Sequence, residues 1–436
     1  MRLRSEKGFS LIEMVMTMAI FSVVIMVVAN SFSALLKFSS GLMKSEESNI
    51  SGMVGLEMMR HDLSAAGFGL PTSYNISGVP NYSEVDGAHT LAAALNDSAT
   101  AGRIPRALVG TANAGIATDV GSDGVSYQSL GNSDYLAIKG SSLGTQPAAQ
   151  NWSYLNYTSA PPKAPKTWPT VGSNLNAGDA VIALDRSISS TTGGYDLLKD
   201  STGRFWTTYS PSGLPASFSP LTPQDVVYIY GLGGSGTVPR MPFNRVDYMV
   251  ATPTTAGKLP AYCAPHTGIL YRGVVRHDPQ GGNLEYQPVL DCVAAMRVVL
   301  GWNMFDSSGT MVSDATKTGS GMVDTWTNLA GAGISCSVSP TPDLTTLSAQ
   351  MLSAVGDPAQ IRTKLKVIKV YILAQDGNKD QSYTSSSIPI NMYSSEEGAT
   401  PLGSTLATYT LPPEMTHYHW KVYKLVIRPK NLVSNQ

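Results

Sequence analysis

Charge is scarce in this chain, and so is cysteine. Only 14% of its 436 residues are charged, where an average globular protein carries about 25%. The 30 basic and 31 acidic residues leave a net charge of −1, without a long basic run, so the electrostatic footprint of a nucleic-acid binder is missing. Low charge beside 42% hydrophobic residues is the reverse of a disordered composition. Three cysteines are too few for a disulfide framework and lack zinc-ligand spacing. No internal repeat is evident.

What is present points outward from the cell. The surface must be covered mostly by Ser, Thr, Asn and Gly, as is common in exported proteins, and 41 glycines with 27 prolines imply many turns between short elements. Arg2, Arg4 and Lys7, against Glu6, precede an apolar run from Met14 to Leu36. At about 1.5 Å per residue that run reaches about 34 Å, enough to cross a bilayer core of about 30 Å. The basic residues ahead of it should stay cytoplasmic and the bulk of the chain should be exported. A cleaved secretory signal ending at Ala29 is the bland alternative, and Glu13 argues against it, because a carboxylate inside an apolar segment costs at least a few kcal/mol. The helical pattern also continues: Ile50, Met53, Leu56, Met59 and Leu63 recur at intervals of 3, 3, 3 and 4. It stops at Gly67-Phe68-Gly69-Leu70-Pro71. The expectation is one helix of nearly 60 residues, on the order of 85 Å long.

Lys7-Gly8-Phe9-Ser10-Leu11-Ile12-Glu13 resembles the class III signal of type IV pilins and type II secretion pseudopilins. The resemblance implies that a prepilin peptidase cuts between Gly8 and Phe9 and methylates the new N-terminus at Phe9. Glu13 then falls fifth in the mature chain, where that family keeps glutamate. Such a carboxylate needs a partner, and the α-amine of Phe9 in a neighbouring subunit supplies one as the helices stack, a filament-assembly salt bridge. The segment Leu56 to Phe68 is similar to the end of the N-terminal helix in PilW-like minor pilins, and less closely to GspJ/PulJ-type minor pseudopilins. Asp134 to Ile138, Val289 to Arg297, Lys364 to Leu373 and Leu425 to Leu432 follow the same group in order and spacing, whereas residues 140 to 220 have no family pattern.

That resemblance implies a minor pilin that helps initiate a type IV pilus and sits at or near its tip. Its partners would be other minor pilins, the major pilin, the prepilin peptidase and an inner-membrane assembly platform. The chain would be anchored in the inner membrane with its head in the periplasm, then displayed on the surface pilus, where adhesion and twitching motility are the associated activities. A minor pseudopilin of a type II secretion system is the alternative within the class. A tip-displayed adhesin or DNA-uptake receptor is the alternative outside it, and low basic charge counts against DNA.

The organisation expected is an α+β fold: leader 1–8, transmembrane and filament-core helix 9–36, amphipathic continuation 37–66, and an antiparallel β-rich head 67–436 with an insertion around 140–245. Candidate strands are Tyr135 to Lys139, Asp179 to Leu184, Val226 to Tyr230, Val246 to Ala251, Gly268 to Arg276, Leu284 to Val289, Met296 to Trp302, Lys366 to Ala374 and Lys421 to Arg428. Residues 140 to 177 read as a loop excursion. Asp278 to Asn283 is a turn cluster, so residues 268 to 290 form a hairpin. Of the three possible cysteine pairings, Cys263 with Cys292 is favoured because that hairpin brings its flanks together, leaving Cys336 free or buried.

Signals that look chemical have plainer readings. Gly231-Leu232-Gly233-Gly234-Ser235-Gly236 matches a dinucleotide fingerprint, but Pro239 and Pro242 forbid the helix it needs, so a turn is expected. Asp376-Gly377-Asn378-Lys379-Asp380 begins like a calcium loop. Gln381 and Ser387 stand where such a loop needs glycine and glutamate, so a surface hairpin loop is expected. His417 and His419 share a strand face without an identifiable third ligand, and His61, His89, His266 and His277 are scattered. No nucleophile with a nearby base can be argued from spacing. Neither an enzyme, a cofactor nor a metal is therefore expected. Trp152, Tyr154, Tyr157, Trp168, Trp206 and Tyr209 are either the core of an inserted lobe or a partner-binding surface.

Overall fold

The computed structural model describes residues 10–74, 81–98, 104–158, 164–186, 194–255, 258–277, 281–338, 343–392, 400–401 and 407–433. The chain divides into two units, residues 1–50 and 51–436. It opens with helix α1, Leu11–Ser64. Strands β1 (Ser73–Tyr74), β2 (Leu108–Thr111), β3 (Thr118–Val120), β4 (Ser126–Ser129) and β5 (Tyr135–Gly140) follow, with a short helix α2 at Thr90–Ala93. The next group is β6 (Trp152–Asn156), β7 (Ala180–Asp185), β8 (Asp196–Leu197), β9 (Thr207–Thr208) and β10 (Val226–Gly233). Then come β11 (Asn244–Pro253), β12 (Gly268–Val275), β13 (Leu284–Trp302), β14 (Thr325–Asn328) and β15 (Ser335–Cys336). After α3 (Leu344–Gly356) and α4 (Pro358–Lys364) the chain ends with β16 (Leu365–Asp376), β17 (Ile390–Asn391), β18 (Thr400–Pro401), β19 (Thr408–Tyr409), β20 (His419–Ile427) and α5 (Lys430–Val433).

The fold is α+β. Among the described residues twelve strands form one antiparallel sheet, ordered β18-β15-β14-β13-β12-β11-β4-β3, with β16 and β20 added beside β13 and with β5 and β2 beside β11. Six strands from residues 73–74 and 152–233 form a second sheet, ordered β1-β8-β7-β10-β6 with β9 on β7. Residues 140–177 are thus not wholly a loop excursion: Trp152 to Asn156 pair with β10. Alternating Ser153 and Leu155 point to the buried face there, a period of two obscured in the sequence by the aromatics between them.

Two expected strands, Leu284 to Val289 and Met296 to Trp302, are one strand of 19 residues. Register shifts near Leu290 and between Val293 and Ala295, with Cys292 at φ 52°, mark a bulge. An extra residue bends a strand, and here β13 leaves β12 and takes β14 and β16 as neighbours. The β12–β13 pairing is the hairpin expected over 268–290. β16 is buried on both faces: Ile368, Val370 and Ile372 enter the main core, while Val367, Tyr371 and Leu373 pack under Met392, Tyr409, Met415 and Tyr418. Lys369 on that second face lies 3.9 Å from the Trp326 ring centroid, so its ammonium is held by the ring's quadrupole.

Within residues 51–436, α1 lies against the main sheet through Leu56, Met59 and Leu63. Glycines bring the backbones together: a Cβ on Gly55 would sit 2.5 Å from the Val289 carbonyl oxygen, and one on Gly52 would sit 2.8 Å from Leu290 Cδ1. Met53, which the 3-3-3-4 spacing places on the buried face, is 64% exposed, because Gly52 and Gly55 occupy the contact line instead. The helix stops where expected. Gly67, at φ 82°, donates its N–H to the Lys139 carbonyl, and the Ser141 N–H donates to the Phe68 carbonyl, so the end of β5 takes over the helix's exit strand.

Candidate assembly site

The residues from Ser10 to Ser33 are all exposed, and Leu11–Ser33 is long and apolar enough to cross a membrane. Two of its polar interruptions are satisfied locally. The Thr17 hydroxyl donates to the Met14 carbonyl and the Ser22 hydroxyl to the Met18 carbonyl, which is how such groups are tolerated in lipid. The first turn is a reciprocal capping box: the Ser10 N–H donates to Glu13 Oε2 at 2.9 Å, and the Glu13 N–H donates to Ser10 Oγ at 3.3 Å. Glu13 therefore satisfies an orphan donor of its own helix and sits where the helix dipole favours an anion. Gly8 and Phe9 lie outside the described residues.

At the other end of the helix a charge is buried. Asp62 accepts from Arg272 Nε at 2.7 Å and from the Tyr248 hydroxyl at 2.8 Å, and Arg272 Nη2 also donates to the Leu143 carbonyl at 3.1 Å. Burial opposes the Asp62 charge, but hydrogen bonds from His61 and Arg272, together with the Arg272 charge, outweigh it and hold the carboxyl below its usual range. Helix α1 is thereby tied to β11 and β12.

A second buried network secures Glu84, Asp97 and Arg106 to the sheet. Lys139 Nζ lies 2.7 Å from Glu84 and 2.6 Å from Asp97, and Arg245 lies 2.9 Å from Glu84 and 2.8 Å from Asp247. Arg106 pairs with Asp97 at 2.8 Å, and the Tyr135 hydroxyl donates to Asp247 at 2.9 Å. Three carboxylates thus meet three cations, the condition under which buried charge is tolerated. Neither network was identified from the sequence. The available signal was a lone charge within an apolar stripe: Asp62 between Met59 and Leu63, Arg272 in Ile269 to Val275, Lys139 closing Tyr135 to Ile138.

Cys263 and Cys292 form a disulfide with Cα atoms 5.0 Å apart, bridging 29 positions, and Cys336 is free and buried. The glycine-rich stretch runs out of β10 into a turn closed by the Thr237 N–H on the Gly234 carbonyl. In the loop after β16, Asp380 accepts from the Ser382 N–H and hydroxyl, His417 Nδ1 meets the Tyr383 carbonyl at 2.7 Å, and His419 stacks on Tyr383. Among the described residues no three His, Cys, Asp or Glu side chains are grouped to hold a metal. Of the clustered aromatics, Tyr209 is buried in the second sheet's own core. Trp152, Tyr154 and Trp168 are half-buried around Tyr228, and Trp206 is half-buried against the main core.

A family model described as the prokaryotic N-terminal methylation motif matches residues 3–29. No curated protein and no solved structure matches the chain. The match covers most of the basic leader, from residue 3, with the capped Glu13 and most of the apolar segment. It supports a pilin- or pseudopilin-like protein, implies processing by a prepilin peptidase and membrane assembly with other pilins, and suits membrane anchoring.

Proposed function

We propose that this chain is a minor pilin of a type IV pilus, PilW-like in role. It is processed between Gly8 and Phe9, anchored in the inner membrane with a periplasmic head, and placed at the growing tip. The carrying observation is the methylation motif over residues 3–29 at the start of a helix that presents a capped Glu13. The role at the tip rests on size. A filament subunit must fit its head beneath the next, and a head of roughly 370 residues, enlarged by a second sheet, is hard to repeat along such a lattice. At the tip nothing lies above it.

In this reading the chain acts by binding and has no catalytic role. It primes assembly with other minor pilins, the major pilin and the inner-membrane platform, and adhesion and twitching follow from the pili it starts. Deleting it should cut surface pili sharply while the major pilin stays stable in the membrane, and immunogold should mark filament ends. Dense labelling along the shaft, or normal piliation in the deletion strain, would move the reading to an accessory adhesin or a minor pseudopilin of type II secretion.

A further inference from the structure

Within the second charge network one contact sets a nucleophile against an electrophile. Lys139 of β5 and Asp97, which follows α2, are 42 positions apart and both fully buried. Lys139 Nζ lies 2.6 Å from Asp97 Oδ2 and 2.7 Å from Glu84 Oε2, and it also donates to the Leu95 carbonyl at 3.2 Å. The other Asp97 oxygen, Oδ1, accepts from Arg106 Nε at 2.8 Å. Glu84 Oε1 accepts from the Asp97 N–H at 2.8 Å, so the second carboxylate is fixed against the first. Neighbouring buried pairs lack this chemistry. A guanidinium keeps its proton, which excludes Arg245 with Asp247 and Arg272 with Asp62. Lys364, also buried, donates to the Val312 carbonyl and the Gln360 side-chain oxygen, and neither is a carboxylate.

We propose that Lys139 and Asp97 condense into an isopeptide bond, with Glu84 carrying the proton. The starting state is the salt: burial opposes the Asp97 charge, and the Lys139 and Arg106 charges outweigh it. The reaction begins when one ammonium proton crosses to Asp97 Oδ2, which leaves a neutral amine, the nucleophilic form of lysine, beside a neutral acid. The nitrogen lone pair attacks Asp97 Cγ. The carbonyl electrons move onto Oδ1, where the Arg106 guanidinium stabilises the developing charge, and the nitrogen gives a second proton to Glu84. When the Oδ1 electrons return, the bond from Cγ to Oδ2 breaks and the departing hydroxide takes the proton from Glu84. One ammonium and one carboxylate have become one amide and one water, and Glu84 is again a carboxylate.

Removing two buried charges favours the product where neither ion is solvated. The charges that remain still balance, with Glu84 and Asp247 facing Arg245 and Arg106 on the new amide oxygen. The bond also has a mechanical sense. The Lys139 carbonyl receives the Gly67 N–H at the end of helix α1. With residues 97 and 139 joined, residues 98–138 become a closed loop, outside any tension that passes from α1 along the chain into the later strands.

The test is tryptic mapping by mass spectrometry of the full chain, purified in detergent, then reduced and unfolded before digestion. Trypsin should fail to cut after Lys139, and peptide 61–103 should appear joined to peptide 107–163 at about 18 Da below their summed mass, one water having left. Fragmentation should place the branch between Asp97 and Lys139. Lys139→Arg keeps the positive charge and should release peptides 61–103 and 107–139 separately. Glu84→Gln should lower the joined fraction about tenfold or more, the loss expected when a proton carrier is removed. A wild type that is cut after Lys139 and releases peptide 61–103 unmodified would overturn the proposal, and this digest needs no variant to fold. A branch retained in full by Glu84→Gln would overturn the assigned proton carrier.

Discussion

Replacing Arg272 with Met should cost the head several kcal/mol and reverse the way its stability depends on pH. In the native protein Asp62 faces Arg272 at 2.7 Å and Tyr248 at 2.8 Å in a buried setting. The methionine keeps most of the arginine's apolar volume and deletes its charge. Removing one partner of a buried pair costs roughly 3–5 kcal/mol, because the remaining charge is stranded. The sign with pH follows from the same contacts. Asp62 is held below the usual carboxylate range, so it contributes stability that is present above the unfolded value near 4 and is lost as pH falls through the folded one. Without Arg272, burial is opposed only by the hydrogen bonds from His61 and Tyr248, and the balance moves the carboxyl upward. The variant's deficit should therefore be largest at pH 7.5 and shrink toward pH 5. All six tryptophans lie in residues 51–436, so urea unfolding followed by tryptophan fluorescence at both pH values reads this unit. A second change, Asp62→Leu on the Arg272→Met background, should recover most of the loss. A single variant within about 1 kcal/mol of wild type, a deficit that does not shrink at pH 5, or a double variant as unstable as the single would refute the reasoning.

Intact-mass analysis should find the mature chain beginning at N-methylated Phe9. Glu13→Ala should start at the same residue and insert equally, yet enter sheared filaments less; equal incorporation would count against the inter-subunit pair. Peptide mapping under non-reducing conditions should return Cys263 joined to Cys292. The serine double variant should lose about 3–4 kcal/mol for a loop of 29 positions, whereas Cys336→Ser should be far milder. Alkylation should reach Cys336 only on unfolding, because burial both hides the thiol and pushes its pKa up.

The strands were legible wherever a β-rich run carried its own punctuation. Tyr135 to Gly140, Ala180 to Asp185, Leu365 to Asp376 and His419 to Ile427 coincide with their candidates to within one or two residues at either end. The joining of Leu284 to Val289 with Met296 to Trp302 was not legible. Asp291-Cys292 reads as a polar break, while in the fold it is a bulge that keeps one strand continuous. Strand β6 was missed because its outward positions are Trp152 and Tyr154, half-buried aromatics that erase the polar half of the alternation. Helix α1 was legible in extent but not in facing. Two glycines, which carry no hydrophobic signal, set the line of contact and turned Met53 outward.

The buried charges escaped for a more general reason. Periodicity assigns a polar residue to the solvent face, and that rule fails wherever the partner comes from far along the chain. Asp62 and Arg272 are 210 positions apart, and Glu84 and Arg245 are 161 apart. The assembly end of the molecule shows the opposite case. Ser10 and Glu13 are three residues apart, so the contact that orders them is local, although the sequence alone was read as giving Glu13 a partner only in a neighbouring subunit. Long-range pairs of this kind have a physical consequence for a protein whose helix must hold its own head. An apolar contact alone permits sliding along the helix. A buried ion pair whose arginine is also hydrogen-bonded to the Leu143 carbonyl fixes one register, since a shift of a single turn would strand both charges. Substitution at Asp62 should for that reason change the register of helix on sheet before it changes the fold of the sheet, and cysteine cross-linking between positions 52 and 290, which face each other across the contact, at either end of a urea ramp would separate the two.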